Sequence, residues 1–182
     1  MKIILAGYIA LEATHKLITN EKPALSCRFS NRFLELTDES SSREMLSRDS
    51  IYKVLDKSGC SSEDIIEISD MGIFGSLWEL ADINDVGLTI DLQKINIRQE
   101  TIEICEWMNV NPYTYPSGGS WLIRSDNAYD IVRLLENASI AASIIGEETK
   151  SNDRIIVNKD ETRFLTPIDR LLKDEQGMKN YR

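Results

Sequence analysis

Residues 65–82 read I-I-E-I-S-D-M-G-I-F-G-S-L-W-E-L-A-D, and no other stretch constrains the fold as tightly. An apolar run of β character, Ile65, Ile66 and Ile68, breaks at Ser69-Asp70. Gly72 and Gly75 follow, and an amphipathic helix begins, with Ile73, Phe74, Leu77, Trp78 and Ala81 on its inward side. A strand–turn–helix junction points backbone N–H groups and the positive end of a helix dipole at one spot, which suits a phosphate or another anion. The same residues also describe a core helix that Asp70 merely caps. Local features leave both readings standing.

Other strands and helices surround this junction. A first strand is expected over 2–5, followed by helical periodicity over 9–18 and 29–36. The polar tract 37–42 reads as a loop. Met45, Ile51, Val54 and Leu55 suggest a further helix that stops at Ser58-Gly59. From Ile65 onward strands and helices alternate. Leu88, Ile90 and Leu92 alternate with Thr89 and Asp91 as in a half-buried strand. Residues 98–108 form a helix with Thr101, Ile104, Cys105 and Met108 on one side, and 109–117, with Pro112 and Pro116, form a loop. A short buried strand is expected at 121–123. Ser125 or Asp126 then caps a helix whose stripe is Ala128, Ile131, Val132, Leu135 and Ala138. A strand over 141–147 and a hairpin, 155–157 with 162–165, complete the pattern. The expected fold class is α/β of the α+β kind, a mixed, mainly antiparallel sheet with helices packed on it. Residues 1–62 are read as a mainly helical part of the same domain, 63–168 as its core, and 169–182 as a charged tail.

A chain of 182 residues fits one domain, and 42% apolar residues suffice for a sizeable core. Asp and Glu total 30 against 21 Lys and Arg, a net charge of -9, which argues against nucleic acid or an anionic membrane as partner. No apolar run approaches the roughly 20 residues of a membrane span. The opening M-K-I-I-L-A-G is too short for a signal-peptide core, so a cytoplasmic location is expected. Cys27, Cys60 and Cys105 are widely spaced and form no C-x-x-C pair, which suits reduced thiols and no zinc site. His15 is the only histidine, so any histidine-based catalysis would rest on it alone.

Two further groups of residues could carry chemistry. Ser117-Gly118-Gly119-Ser120 precedes the 121–123 strand, and paired glycines let a backbone approach a ligand closely. It lacks the Lys of a P-loop and equally describes a tight turn. Glu63, Asp64, Glu67 and Asp70 cluster before the glycine turn, as Mg²⁺ ligands beside a phosphate or as solvated loop charge. Glu12, after the first strand, is either structural or part of a cleft. Trp78 and Trp107 sit on helical apolar faces and read as core residues.

In order along the chain, G-I-F-G-S-L-W-E-L-A-D, V-G-L-T-I-D-L-Q-K-I-N-I-R-Q-E-T-I-E-I-C-E-W, N-P-Y, S-G-G-S-W-L-I and I-I-G-E resemble the C-terminal domain of the aminoimidazole ribonucleotide (AIR) synthase-related superfamily, in its HypE-like hydrogenase maturation branch. The resemblance covers residues 64–165, and G-Y-I-A-L-E-A-T extends it more weakly toward the start. It implies that this sequence corresponds to the second domain, without the N-terminal domain that carries most ATP and Mg²⁺ ligands in the family. It also implies that the glycine turn and the small-residue loop line a cleft between domains. Those positions are Glu67, Ser69, Asp70 and Gly72, with Ser117, Gly118 and Gly119. No metal ligand is implied, and ATP with Mg²⁺ is implied only together with a partner domain.

The sequence departs from the family pattern where Met71 stands in a Gly-Gly pair and Ala13 replaces a glycine. No cysteine follows Cys105, so the C-terminal thiol that HypE-type proteins carbamoylate and dehydrate is not expected here. Three functions follow from the resemblance. The first is an accessory protein that binds a ligand or partner without full catalytic machinery. The second is an ATP-dependent enzyme of the ligase or dehydratase type, working with a separately supplied ATP-binding domain. The third is a structural homodimer. The expected partner is another copy or another protein, on the face that the N-terminal domain covers in the family.

Overall fold

The chain runs β1 (Lys2–Ala6), α1 (Leu11–Asn20), α2 (Lys22–Leu25), α3 (Asn31–Glu44), α4 (Arg48–Leu55), β2 (Ile65–Glu67), α5 (Gly72–Ile83), β3 (Gly87–Asp91), α6 (Gln99–Met108), β4 (Trp121–Ser125), α7 (Ala128–Asn137), β5 (Ala142–Thr149), β6 (Arg154–Asn158) and β7 (Glu161–Phe164). The computed structural model describes residues 1–56 and 58–167. The strands form one sheet in the order β2-β4-β1-β5-β3-β6-β7. Only the β3–β6 pair is parallel, so the sheet is mixed and mainly antiparallel, as the alternation of elements predicts.

The sheet grows outward from β1, which pairs antiparallel with β4 on one side and β5 on the other. Ile3, Ile4, Leu5 and Ala6 are fully buried because both faces of this strand are covered. A strand covered on both faces needs an unbroken apolar run, and K-I-I-L-A supplies it. On one face, Ile3, Leu5, Leu122, Leu88 and Ile90 pack against Ile73, Phe74, Leu77 and Leu80 of α5. On the other, Ile4, Ala6, Trp121 and Ile123 pack against Ile51 and Leu55 of α4 and Ile131 and Leu135 of α7. A third cluster, Leu17, Ile18, Leu25, Leu34 and Ile104, joins α1, α2, α3 and α6 beside the sheet. Hydroxyls of Thr14 and Thr101, both buried, hydrogen-bond at 3.0 Å between α1 and α6, which satisfies them where water is excluded.

Several expectations are corrected. Residues 37–42 are not a loop, because α3 runs through them. Leu34, Thr37 and Ser41 lie on one helical face and are all buried, so small polar side chains continue the stripe that apolar ones begin. Ser30 caps this helix by accepting from Phe33 N. Neither Ser125 nor Asp126 is the N-cap of α7. Asn127 holds that position without a side-chain cap bond, and Ser125 Oγ accepts from Asn127 N instead. Trp107 is not a core residue: it is 49% exposed, and its indole N–H donates to Ala24 O. The tail 169–182 lies outside the described residues. No helix among the described residues is long and apolar enough to cross a membrane.

Burial separates two substitutions that look alike in sequence. Leu77→Ala, at a fully buried position, is expected to lower the unfolding free energy by about 2–5 kcal/mol in urea titrations. Ile83→Ala, at a 79% exposed position in the same helix, is expected to change it by less than about 0.5 kcal/mol.

Candidate functional site

β2 pairs antiparallel with β4, Glu67 lying opposite Trp121. The chain leaving β2 and the chain arriving at β4 must therefore run side by side, and Ile68 N donates to Ser120 O at 2.9 Å. This register brings the 67–72 segment and the 117–119 segment, separated by about fifty residues in sequence, to one end of the sheet.

The turn after β2 is built by two serines. Ser69 N donates to Ser76 Oγ at 2.9 Å, Ser76 Oγ donates to Ser69 Oγ at 3.2 Å, and Met71 N donates to Ser69 Oγ at 3.3 Å. Asp70 is exposed on the turn, and Met71 occupies the N-cap position of α5 with no side-chain cap bond, so the Asp70 cap is corrected. Gly72 has φ +68°, and a Cβ there would lie 2.6 Å from Tyr113 O and 2.7 Å from Tyr115 N. Only glycine fits, because backbone conformation and neighbouring backbone both exclude a side chain. The Met71 side chain is buried over the first turn of α5, 2.4 Å from where a Cβ on Gly75 would lie. Met71 thus fills the space beside Gly75 at the start of the helix.

Across from the turn, Ser117 is fully buried. Its hydroxyl accepts from Ala10 N at 2.8 Å and donates to Tyr115 O at 3.0 Å. Gly118 N donates to Glu12 Oε2 at 2.9 Å, and Gly119 N donates to Glu67 Oε1 at 3.0 Å. The loop N–H groups that an anion would use are therefore engaged by two carboxylates of the chain itself. Leu46 N donates to Gly119 O at 2.8 Å, which draws the segment before α4 onto the same loop.

Glu12 is the residue that sequence reasoning undervalued. Burial disfavours its charge, yet hydrogen bonds from Lys16, at 2.5 Å, and from Gly118 N outweigh burial and hold the carboxyl below its ordinary value of 4.5. Beside this loop, Arg98 lies over the Tyr8 ring, 4.2 Å from its centroid, and pairs in bidentate fashion with Glu44. Local sequence could not have revealed the Glu12 contact, which spans 106 residues.

The acidic group read as Mg²⁺ ligands does not converge. Asp64 pairs with Arg124 at 3.3 Å, Glu67 turns to Gly119, and Glu63 is exposed. Among the described residues no three His, Cys, Asp or Glu side chains are placed to hold a metal ion. Cys105 is buried, and burial alone pushes its thiol up to about 12, which leaves it a packing residue. His15 Nδ1 meets Asp38 Oδ1 at 2.7 Å on the α1–α3 side.

No protein-family model and no curated protein matches the sequence. Solved structures match in fold. HypE of E. coli, a hydrogenase maturation protein, superposes with a TM-score of 0.72 at 13% identity, over 92% of this chain and 49% of its own. A chain of the HypE–HypF complex gives 0.66 at 15% identity, over 92% of this chain and 52% of that one. Thiamine monophosphate kinase of Aquifex aeolicus gives 0.56 at 15% identity, over 89% and 51%. At these identities the shared property is the fold, and it is the fold implied by the resemblance to the AIR synthase-related superfamily. The chain spans about half the length of these structures, a share consistent with the C-terminal domain alone.

Two measurements follow from the loop. Because the Glu12 carboxyl is depressed in the folded state, its contribution is full above the unfolded value and is lost as pH falls through the folded one. Glu12→Gln should therefore flatten the decline of stability between about pH 5 and 3, read by urea unfolding at each pH. Gly119 has φ +78°, and a Cβ there would meet Met45 Cβ at 2.6 Å. Gly119→Ala is expected to destabilise the protein by about 1–3 kcal/mol in the same assay.

Proposed function

We propose that this chain is an accessory protein that binds a partner or ligand at the β2 end of its sheet, without the full catalytic machinery of an ATP-using enzyme. The observation that carries this reading is the engagement of Gly118 N and Gly119 N by Glu12 and Glu67. A phosphate would have to displace two carboxylates and then lie beside them, and like charges at that distance repel. Of the candidate residues, the exposed Glu67 and Asp70 with the half-buried Ser69 and Gly118 then form the rim of a contact surface. The buried Gly72, Ser117 and Gly119 shape it from within, and the partly exposed Glu12 lies beside it. A basic or hydrogen-bond-donating partner suits such a rim, as does the net charge of -9.

The fold neighbours support a role of this kind. One is described as a hydrogenase maturation protein and another was solved as a HypE–HypF complex, so proteins of this fold assemble with others. Unpaired thiols at Cys27, Cys60 and Cys105 suit a reducing compartment such as the cytoplasm. The kinase among the neighbours favours a second reading, an enzyme that works with a separately supplied ATP-binding domain.

Thermal unfolding with nucleotide separates the two. At millimolar MgATP or MgADP the melting temperature of the chain alone is expected to move by less than about 1 °C. A site filled to a hundred times its Kd would add about 2.7 kcal/mol and several degrees. A shift of that size would overturn the accessory reading in favour of the enzyme.

A further inference from the structure

The opposite end of the sheet carries a surface that the proposed function does not use. β7 is the last strand in the sheet order, and all four of its residues are exposed. Its neighbour β6 pairs with it antiparallel, Asn158 lying opposite Glu161 across the Lys159-Asp160 turn. In such a ladder, backbone groups face the neighbouring strand at every second residue. Leu165 N donates to Arg154 O at 2.7 Å, so residues 161, 163 and 165 turn their backbone groups toward β6. The N–H and C=O of Thr162 and Phe164 consequently point away from the sheet, and among the described residues no strand meets them.

Open edge groups beside a 69% exposed Phe164 favour strand addition. The charge order of Glu161-Thr162-Arg163-Phe164 selects the strand that fits. Two copies can pair antiparallel about a two-fold axis at Thr162, at Arg163 or at Phe164. An axis at Phe164 sets Arg163 opposite Leu165 and leaves Glu161 without an opposite charge. An axis at Arg163 sets two guanidinium groups directly opposite each other. An axis at Thr162 sets Thr162 opposite its own copy and Glu161 of each copy opposite Arg163 of the other, a favourable pair formed twice. That register also lets the two Thr162 residues exchange their outward N–H and C=O groups. Arg163 already lies over the Phe74 ring, 5.7 Å from its centroid, which fixes the face on which its charge is presented. Phe164 shares the other face with Ile155 and the half-buried Val157, and in this register it lies opposite Asp160 of the other copy.

We infer that two copies of this chain join β7 to β7, with Thr162 on the two-fold axis and a Glu161–Arg163 pair on each side. The two sheets become one, and the β2 ends remain free at its outer limits, so this pairing stands whether or not the accessory reading holds. Such an interface is isologous and closes on itself.

Sedimentation of the full chain from micromolar to millimolar concentration tests the inference. The mass of the natural protein is expected to rise from monomer toward dimer. Glu161→Arg, which opposes like charges at both pairs, should weaken association by about tenfold. The double exchange Glu161→Arg with Arg163→Glu should restore it. Thr162→Pro should abolish it while the circular dichroism melt is retained, because the lost N–H faces away from β6. A monomer at every concentration would overturn the inference. So would a dimer indifferent to Glu161→Arg, or one that the double exchange fails to restore.

Discussion

Two backbone N–H groups, of Gly118 and Gly119, organise the end of the sheet where this chain presents its candidate site. Each donates to a carboxylate from a different element, Glu12 of α1 and Glu67 of β2. The same short loop receives Leu46 N at the Gly119 carbonyl and Ala10 N at the Ser117 hydroxyl. Strand β2, strand β4, helix α1 and the segment before α4 therefore meet through one turn of backbone. Charge-assisted hydrogen bonds of this kind are stronger than neutral ones, and a partly buried loop cannot easily exchange them for water. Gly119, at φ +78°, needs glycine, whereas a side chain at Gly118 would have to displace the Glu12 carboxylate. A Cβ on Gly118 would lie 2.7 Å from Glu12 Oε2, and one on Gly119 would strike Met45.

That arrangement gives the resemblance to ATP-using proteins a different meaning. The glycine turn and the small-residue loop occupy adjacent positions, as a cleft would require. Yet the loop donors point at the chain's own acids, and Met71 fills the first turn of α5. In the proposed reading, what remains is a rim bearing the exposed carboxylates of Glu67 and Asp70, suited to a partner that brings its own donors. The fold supplies the scaffold and does not by itself specify the chemistry.

Much of the fold was legible in the sequence, and the reasons are local. The apolar run of β1, the I-I-E-I-S-D-M-G junction and the β6–β7 hairpin each carry a period or turn signal that acts within a few residues. Helix α3 was hidden because Thr37 and Ser41 are buried polar residues and imitate a loop. Asp70 is not the N-cap because the helix starts one residue later, behind Met71. The Ser69–Ser76 clasp that shapes the turn joins residues seven apart and has no established signature. The site was half legible. Glycines and small residues marked both segments, whereas the register that joins them and the Glu12 contact depend on tertiary structure.

The amide protons of Gly118 and Gly119 report most directly on the central interaction. An amide that donates to a carboxylate resonates downfield and moves upfield when that carboxylate is protonated. Followed by heteronuclear NMR during acidification, the Gly118 amide should shift with the titration of Glu12, and this response should vanish in Glu12→Gln. The Gly119 amide should move upfield in Glu67→Gln at neutral pH, where the carboxylate it donates to is lost. A Gly118 amide that ignores the Glu12 titration, a Gly119 amide unmoved by Glu67→Gln, or either amide moving on addition of MgATP at neutral pH would contradict the account.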